Sequence, residues 1–185
     1  MHTSSKRENI RMASVKQDIR LNLGCGGNRV SGFVGVDLYP CDGMDVQHDL
    51  NMPLPFPDDC AREVWAHHII EHVKDPYAFL KEVHRVSKND ALVSIVTPHF
   101  ASMDSFIDIT HLFHMSCFSL DKMCGNECHY QKKMFSQSER RLAFGVHPMG
   151  LIGRVISMFS MREYEQRWCY MFRPTNIYWK LRVVK

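Results

Sequence analysis

The chain has 185 residues, 45% hydrophobic and 23% charged, with a formal net charge of +3. These values suit one folded domain with a sizeable core and exclude a collagen-like, fibrous or strongly disordered chain. No apolar run approaches a membrane span, the N-terminus lacks a signal-peptide core, and seven irregularly spaced cysteines point to free thiols in a cytoplasmic protein.

The charge is uneven. Residues 1–97 hold 11 Lys/Arg against 13 Asp/Glu, while residues 98–185 hold 12 against 7. Residues 1–17 are polar and read as a flexible tail, which leaves 18–185 as the domain. The first strand is expected over about 19–23, ending in the glycine turn Gly24-Cys25-Gly26-Gly27-Asn28. The second is expected over 33–37, closing on Asp37, and a short third near 44–48 leads to Asp49. A proline-rich loop over 51–57 cannot be helix interior. The fourth strand is expected near 63–66.

Asp75-Pro76 opens a helix, with Asp75 as N-cap and proline in the first turn. Phe79, Leu80, Val83 and Val86 then share one face. The fifth strand, 91–97, is almost wholly apolar, as a strand covered on both faces should be. Residues 98–147 are irregular and rich in His, Cys, Met and Phe, and read as a substrate-side insertion or lid. A helix is expected over 150–159, burying Leu151, Ile152, Val155, Ile156 and Phe159. Two antiparallel strands, 162–172 and 177–184, are expected to close the chain.

Strands alternating with crossovers give an α/β class with a doubly wound, mostly parallel sheet. Such a sheet binds a nucleoside where the glycine turn lets backbone approach and an acid at the next strand tip grips the ribose. The dinucleotide pattern wants a third glycine where Arg29 stands, and a phosphate loop wants Gly-Lys-Ser/Thr, which is absent.

The stretches LNLGCGGN (21–28), GVDLYP (35–40), PLPFPDD (53–59) and HHIIEHVKDPYAFLKEVHRVSKNDALVSIVTPH (67–99) resemble, in order, the class I S-adenosylmethionine-dependent methyltransferases, in particular the small type 11 family. The resemblance implies a Rossmann-like sheet with a reversed final strand and S-adenosyl-L-methionine as cofactor. It implies that Gly24 and Gly26 pass under the methionine and ribose parts of the cofactor, that Asp37 takes the ribose hydroxyls, and that Asn22, Cys25 and Leu38 are further cofactor-binding residues. Asp49 and Leu50 would meet the adenine, and His67 and His68 would line the wall beside the methyl group. The Gly24–Asp37 segment is short for that family, and so is the N-terminal cover, which leaves a homodimer open.

Beyond that stretch, His99, Asp104, Asp108 and His111 are the candidates for acceptor chemistry. Asp108 and His111 are one helical turn apart, so His111 is expected as general base with Asp108 orienting it, and His99 as a further catalytic candidate. Asp104, Lys132 and Lys133 are expected to contact the substrate, the lysines as docking points for an acidic one. No metal is expected. Glu71-His72 lacks the HExxH order and the resemblance makes both scaffold, and Cys117, Cys124 and Cys128 fit no paired Cys-x-x-Cys pattern.

The place after strand four lacks the motifs of DNA-base methylation, and the basic excess forms no stripe, so nucleic acid is disfavoured as a partner. The C-terminal 164–185 resembles type 11 members of surface-polysaccharide assembly, which implies O-methylation of a sugar or similar small-molecule or glycan-type substrate. A non-catalytic S-adenosylmethionine-binding subunit, and a methyltransferase acting on protein or nucleic acid, stand as the alternatives.

Overall fold

The computed structural model describes residues 18–125 and 133–185; the expected tail, Lys132, Cys128 and His129 lie outside them. The strands are β1 (Ile19–Leu23), β2 (Val34–Asp37), β3 (Val46–Gln47), β4 (Ala61–His67), β5 (Ser87–Pro98), β6 (Phe135–Phe144) and β7 (Pro174–Val183). They form one sheet in the order β3-β2-β1-β4-β5-β7-β6. β1 to β5 run parallel, and β7 pairs antiparallel with both β5 and β6. This is the expected α/β sheet of seven strands, with β6 in the place of one of the two closing strands that the sequence suggested.

Five helices are described: α1 (Pro76–Val86), α2 (Asp104–Ile107), α3 (Asp121–Cys124), α4 (Pro148–Phe159) and α5 (Met161–Arg167). α1 forms as read. Asp75 accepts from the backbone N–H groups of Tyr77 and Ala78, and Phe79, Leu80, Val83 and Val86 are buried against the sheet. No helix joins β1 to β2; residues 24–33 make the crossover as turns. Leu21, Leu23, Val64, Ala66, Val93 and Ile95 are wholly buried along the three central strands.

Three local expectations fail. Residues 162–172 are a helix and turn, because Ser160 caps α5 by accepting from Glu163 N–H, and Tyr164 and Trp168 lie four apart with only Tyr164 fully buried. The antiparallel partner of β7 is β6 instead, so the last part of the expected lid is a sheet edge. α4 packs by its glycines, not its apolar face. A Cβ on Gly153 would stand 2.7 Å from Phe144 and one on Gly150 2.3 Å from the Gly145 carbonyl, while Leu151, Ile152, Val155 and Phe159 are exposed.

One buried carboxylate joins the second half to the first. Glu165, on α5, accepts from His99 Nε2 at 3.0 Å, Ser116 Oγ at 2.7 Å and Cys117 N–H at 2.8 Å. Burial pushes this carboxyl up, but the bonds from His99, Ser116 and Cys117 prevail and hold it at about 2. With a folded value below the ordinary 4.5, its stabilisation is complete at pH above about 4.5 and is lost as pH falls toward 2. The acid-induced loss should reach about 3 kcal/mol from this group. Urea unfolding between pH 6 and pH 2.5 should show that component in the native chain and lack it in Glu165→Gln, which is less stable at pH 6 and flatter in pH. Equal slopes in the two proteins would refute it.

Candidate active site

The strand order turns back on itself between β1 and β4, and a parallel sheet opens its ligand crevice at the carboxyl ends on either side of such a point. β1 ends there in Gly24, whose N–H donates to Val36 O at 2.8 Å, as does that of Cys25 at 3.2 Å. Gly24 has φ +67° and Gly26 φ +52°, conformations that favour glycine. A Cβ at Gly26 would meet nothing within 4 Å, so the turn is open backbone on its outer side. A Cβ at Gly24 would stand 2.8 Å from the Ile69 side chain, so here the turn is pressed against the chain leaving β4.

Asp37 ends β2 beside the turn. Its Oδ2 accepts from Gly26 N–H at 2.8 Å and its Oδ1 from Tyr39 N–H at 3.1 Å, which fixes the carboxylate and leaves each oxygen a further lone pair. Asn22 is buried and donates to Asn28 O at 3.5 Å across the turn. Cys25 is buried, its sulfur 4.0 Å from that of Cys41, which donates to Gly26 O. Leu38 is 43% exposed at the strand tip, while Leu50 is buried. Asp49 Oδ1 accepts from the Asn51 backbone N–H at 2.9 Å and its side-chain amide at 2.8 Å, and these bonds hold its carboxyl below the ordinary value.

The two adjacent histidines after β4 part company. His67 obeys the strand alternation: its ring stacks on Trp65 with centroids 5.1 Å apart and its Nε2 pairs with Ser94 Oγ at 2.9 Å. It therefore lies on the face of the sheet and not beside His68. His68 takes the left-handed conformation, φ +55°, with half its side chain exposed and its Nδ1 3.5 Å from Glu71 Oε1. The Glu71 carboxylate raises the His68 imidazole above its ordinary value against the effect of burial, and Asp104 adds to the rise. A bulky residue at positive φ carries strain, which gathers at functional sites.

The segment after β5 closes over this point. Leu112 N–H donates to Glu71 O at 2.8 Å, pinning the segment to the end of β4. His111 then stands edge-on to His72, ring centroids 4.6 Å apart. The expected pairing of Asp108 with His111 does not form among the described residues. Asp108 Oδ1 takes the Thr110 hydroxyl at 2.7 Å and its N–H at 2.8 Å, because no helix continues past Ile107 to stack positions three apart. His111 Nδ1 meets Ser105 O at 3.1 Å, and Thr110 Oγ1 meets His72 Nδ1 at 2.9 Å.

His99 has no free nitrogen. It is wholly buried, Nε2 on Glu165 and Nδ1 accepting from Ala101 N–H at 3.0 Å, so it positions the segment and cannot act as a base. Lys133 lies at the far end of the sheet: it precedes β6, whose Phe135 pairs with Val183, next to the Arg182 that faces Leu92 near the start of β5. It is thus remote from the carboxyl ends where His68 and Asp104 stand. Glu71, His72 and Thr110, which the sequence does not single out as functional, are central to the cluster. The signal available was the spacing His68-x-x-Glu71-His72.

Residues 21–95 match the family model described as a methyltransferase domain. The chain is similar in fold to a putative methyltransferase from Bacillus halodurans C-125 at 17% identity, covering 97% of this chain and 99% of that one with a TM-score of 0.61. It is similar to an S-adenosylmethionine-dependent methyltransferase from Mesorhizobium loti at 14% identity, 96% of each chain and TM-score 0.59. A third likeness is to a SAM-dependent methyltransferase from Archaeoglobus fulgidus at 17% identity, 97% and 91% coverage and TM-score 0.57. No curated protein matches the chain. The match to a methyltransferase domain covers residues 21–95, and two of these similar structures are named as dependent on S-adenosylmethionine. The open glycine turn and the anchored Asp37 carboxylate fit that nucleoside.

Gly24→Ala should be destabilising on two counts, the left-handed φ at about 1–2 kcal/mol and the overlap with Ile69 beyond it. In a double-mutant cycle with Ile69→Ala, urea unfolding should recover the steric part and leave the conformational part. Strict additivity of the two substitutions would show that the contact does not constrain the turn.

Proposed function

We propose that the chain transfers a methyl group from S-adenosylmethionine to a hydroxyl of a small metabolite, a sugar or a sugar joined to an apolar group. The observation that carries this reading is the contact of Gly24 with Ile69, which sets the nucleoside turn against the turn that carries His68 and Glu71. Gly24, Cys25 and Gly26 would pass under the cofactor with backbone groups, Asn22 bracing the turn. Asp37 would take the ribose hydroxyls. Leu38 and Leu50 would flank the adenine, with Asp49 on its amine.

When bound, S-adenosylmethionine supplies a methyl group that is already electrophilic. The protein's own work is then to align the acceptor, exclude water and take the acceptor's proton. His68 is the group placed for the proton. It stands at the crevice, and a buried carboxylate behind it favours the imidazolium it would become. We assign the role of carboxylate-backed histidine to His68 with Glu71, in place of His111 with Asp108. The segment over the crevice exposes Met103, Phe106, Ile107, Ile109 and Leu112, which suits an acceptor with an apolar part beside its hydroxyls.

Thermal denaturation with S-adenosylmethionine, S-adenosylhomocysteine and NAD should show midpoints raised by the first two alone, and Asp37→Ala should abolish the rise. Labelled-methyl transfer to a panel of sugars and glycolipids should then detect product. His68→Ala should lower turnover about 10²–10⁴-fold with cofactor affinity kept. Cofactor binding without transfer to any acceptor would favour a non-catalytic binding subunit, and full turnover in His68→Ala would remove it as the base.

A further inference from the structure

We propose that Glu71, His72 and His111 form a divalent-metal site at the crevice, whose open coordination position takes the acceptor oxygen. One ligand atom from each of the three residues lies within 4.8 Å of the others, a spread that small side-chain rotations close onto one ion. Two independent observations point to an ion. The first is the carboxylate of Glu71, which is 1% exposed and accepts no hydrogen bond on either oxygen among the described residues. The nearest cationic candidate, His68 Nδ1, is 3.5 Å away. A buried carboxylate so placed is costly, and a cation on it removes the cost.

The second is the hydrogen-bond pattern behind the two histidines. Ser105 O can only accept, so His111 Nδ1 carries the proton and its Nε2 holds the lone pair. Asp108 accepts the Thr110 hydroxyl proton, so Thr110 Oγ1 receives the Nδ1–H of His72, and Nε2 again holds the lone pair. Both rings are therefore held in the tautomer that offers Nε2 as a ligand, by the kind of carbonyl and carboxylate-linked partners that orient metal-bound histidines. Two imidazoles and one carboxylate with a fourth position free are the ligand set of a catalytic first-row divalent ion such as zinc.

The second group of metal-capable side chains, Cys25, Asp37 and Cys41, is weaker. Asp37 is already held by two backbone N–H groups, and burial pushes the Cys25 thiol up to about 12, so it stays protonated. The ion's role toward the acceptor rests on the methyltransferase reading; its binding does not. Held on the ion, the acceptor hydroxyl loses its proton more readily; the proton goes to the neighbouring His68, and Glu71 then serves the ion rather than the imidazole.

The full chain, stripped with chelator, should be titrated with Co2+ in the absence of S-adenosylmethionine. Visible d–d absorption and titration calorimetry should report one site per chain, displaced by Zn2+. Glu71→Gln and His111→Gln should each weaken binding by about 10-fold or more, and Thr110→Val by a smaller factor through loss of the His72 orientation. Cys41→Ser should leave it unchanged. Circular dichroism checks the fold of each variant, and the part-exposed His111 and Thr110 keep the test valid should Glu71→Gln unfold. Absence of uptake, uptake that survives both His111→Gln and Thr110→Val, or loss in Cys41→Ser overturns the site. Metal uptake with no methyl transfer would overturn only the reaction, and transfer that persists undiminished in chelator would sink the ion's part in it.

Discussion

The structure depends on how closely two turns approach. The glycine turn after β1 and the turn after β4 meet at Gly24 and Ile69, and a single methyl group between them would stand 2.8 Å from its neighbour. Only glycine satisfies both the left-handed backbone and the space. Because Ile69 sits between His68 and Glu71, this contact fixes the distance from the glycine turn to those two side chains. It also explains why His68 is itself left-handed. The chain must leave β4 sharply to return against the glycine turn, and the strain is carried by the first residue outside the strand.

The side of the crevice around Glu71 is then assembled from pieces far apart in sequence. Leu112 bonds to the Glu71 carbonyl, and Glu165 gathers His99, Ser116 and Cys117. These two anchors tie down the segment 99–117, so Thr110 and His111 stand beside His72 although the segment has only one short helix between His99 and His111. The Glu165 anchor is polar and largely shielded, which makes it geometrically exacting: a carboxylate with three donors tolerates little displacement of any one of them. An apolar anchor of equal area would hold the segment without fixing where its histidines point.

What the sequence shows and what it hides follow from range. Local chemistry is readable: the glycine turn, the Asp75-Pro76 start of α1 and the apolar run of β5 each depend on neighbours within a few residues. The position of Asp37 at the tip of β2 is legible for the same reason. The errors lie where tertiary packing decides. Residues 162–172 carry enough scattered apolar side chains to pass as a strand, yet the Ser160 cap and the burial of Tyr164 make a helix. α4 has a clear apolar face, and the fold buries the glycines instead. Spacing alone paired Asp108 with His111, but with the helix ended at Ile107 the nearest donors to Asp108 are those of Thr110. The part Glu165 plays has no local signature at all, since its partners lie 48 to 66 residues away.

The missing crossover helix between β1 and β2 has a consequence at the site. On that face of the sheet, side chains do the covering. The Arg20 guanidinium lies 4.9 Å from the Phe33 ring centroid, Phe33 is 4.5 Å from Trp65, and Trp65 stacks on His67. Glu63 accepts from the Trp65 indole N–H at 2.9 Å and Ser94 meets His67, so the row is closed by polar contacts at its edges. Burial in that row holds the His67 imidazole below its ordinary value, which keeps it neutral and compatible with stacking. A helix in that crossover would take over the surface that Phe33 and Arg20 now cover. The short crossover and the pair of histidines are therefore one arrangement: the first histidine covers the sheet, and the second is left for the crevice.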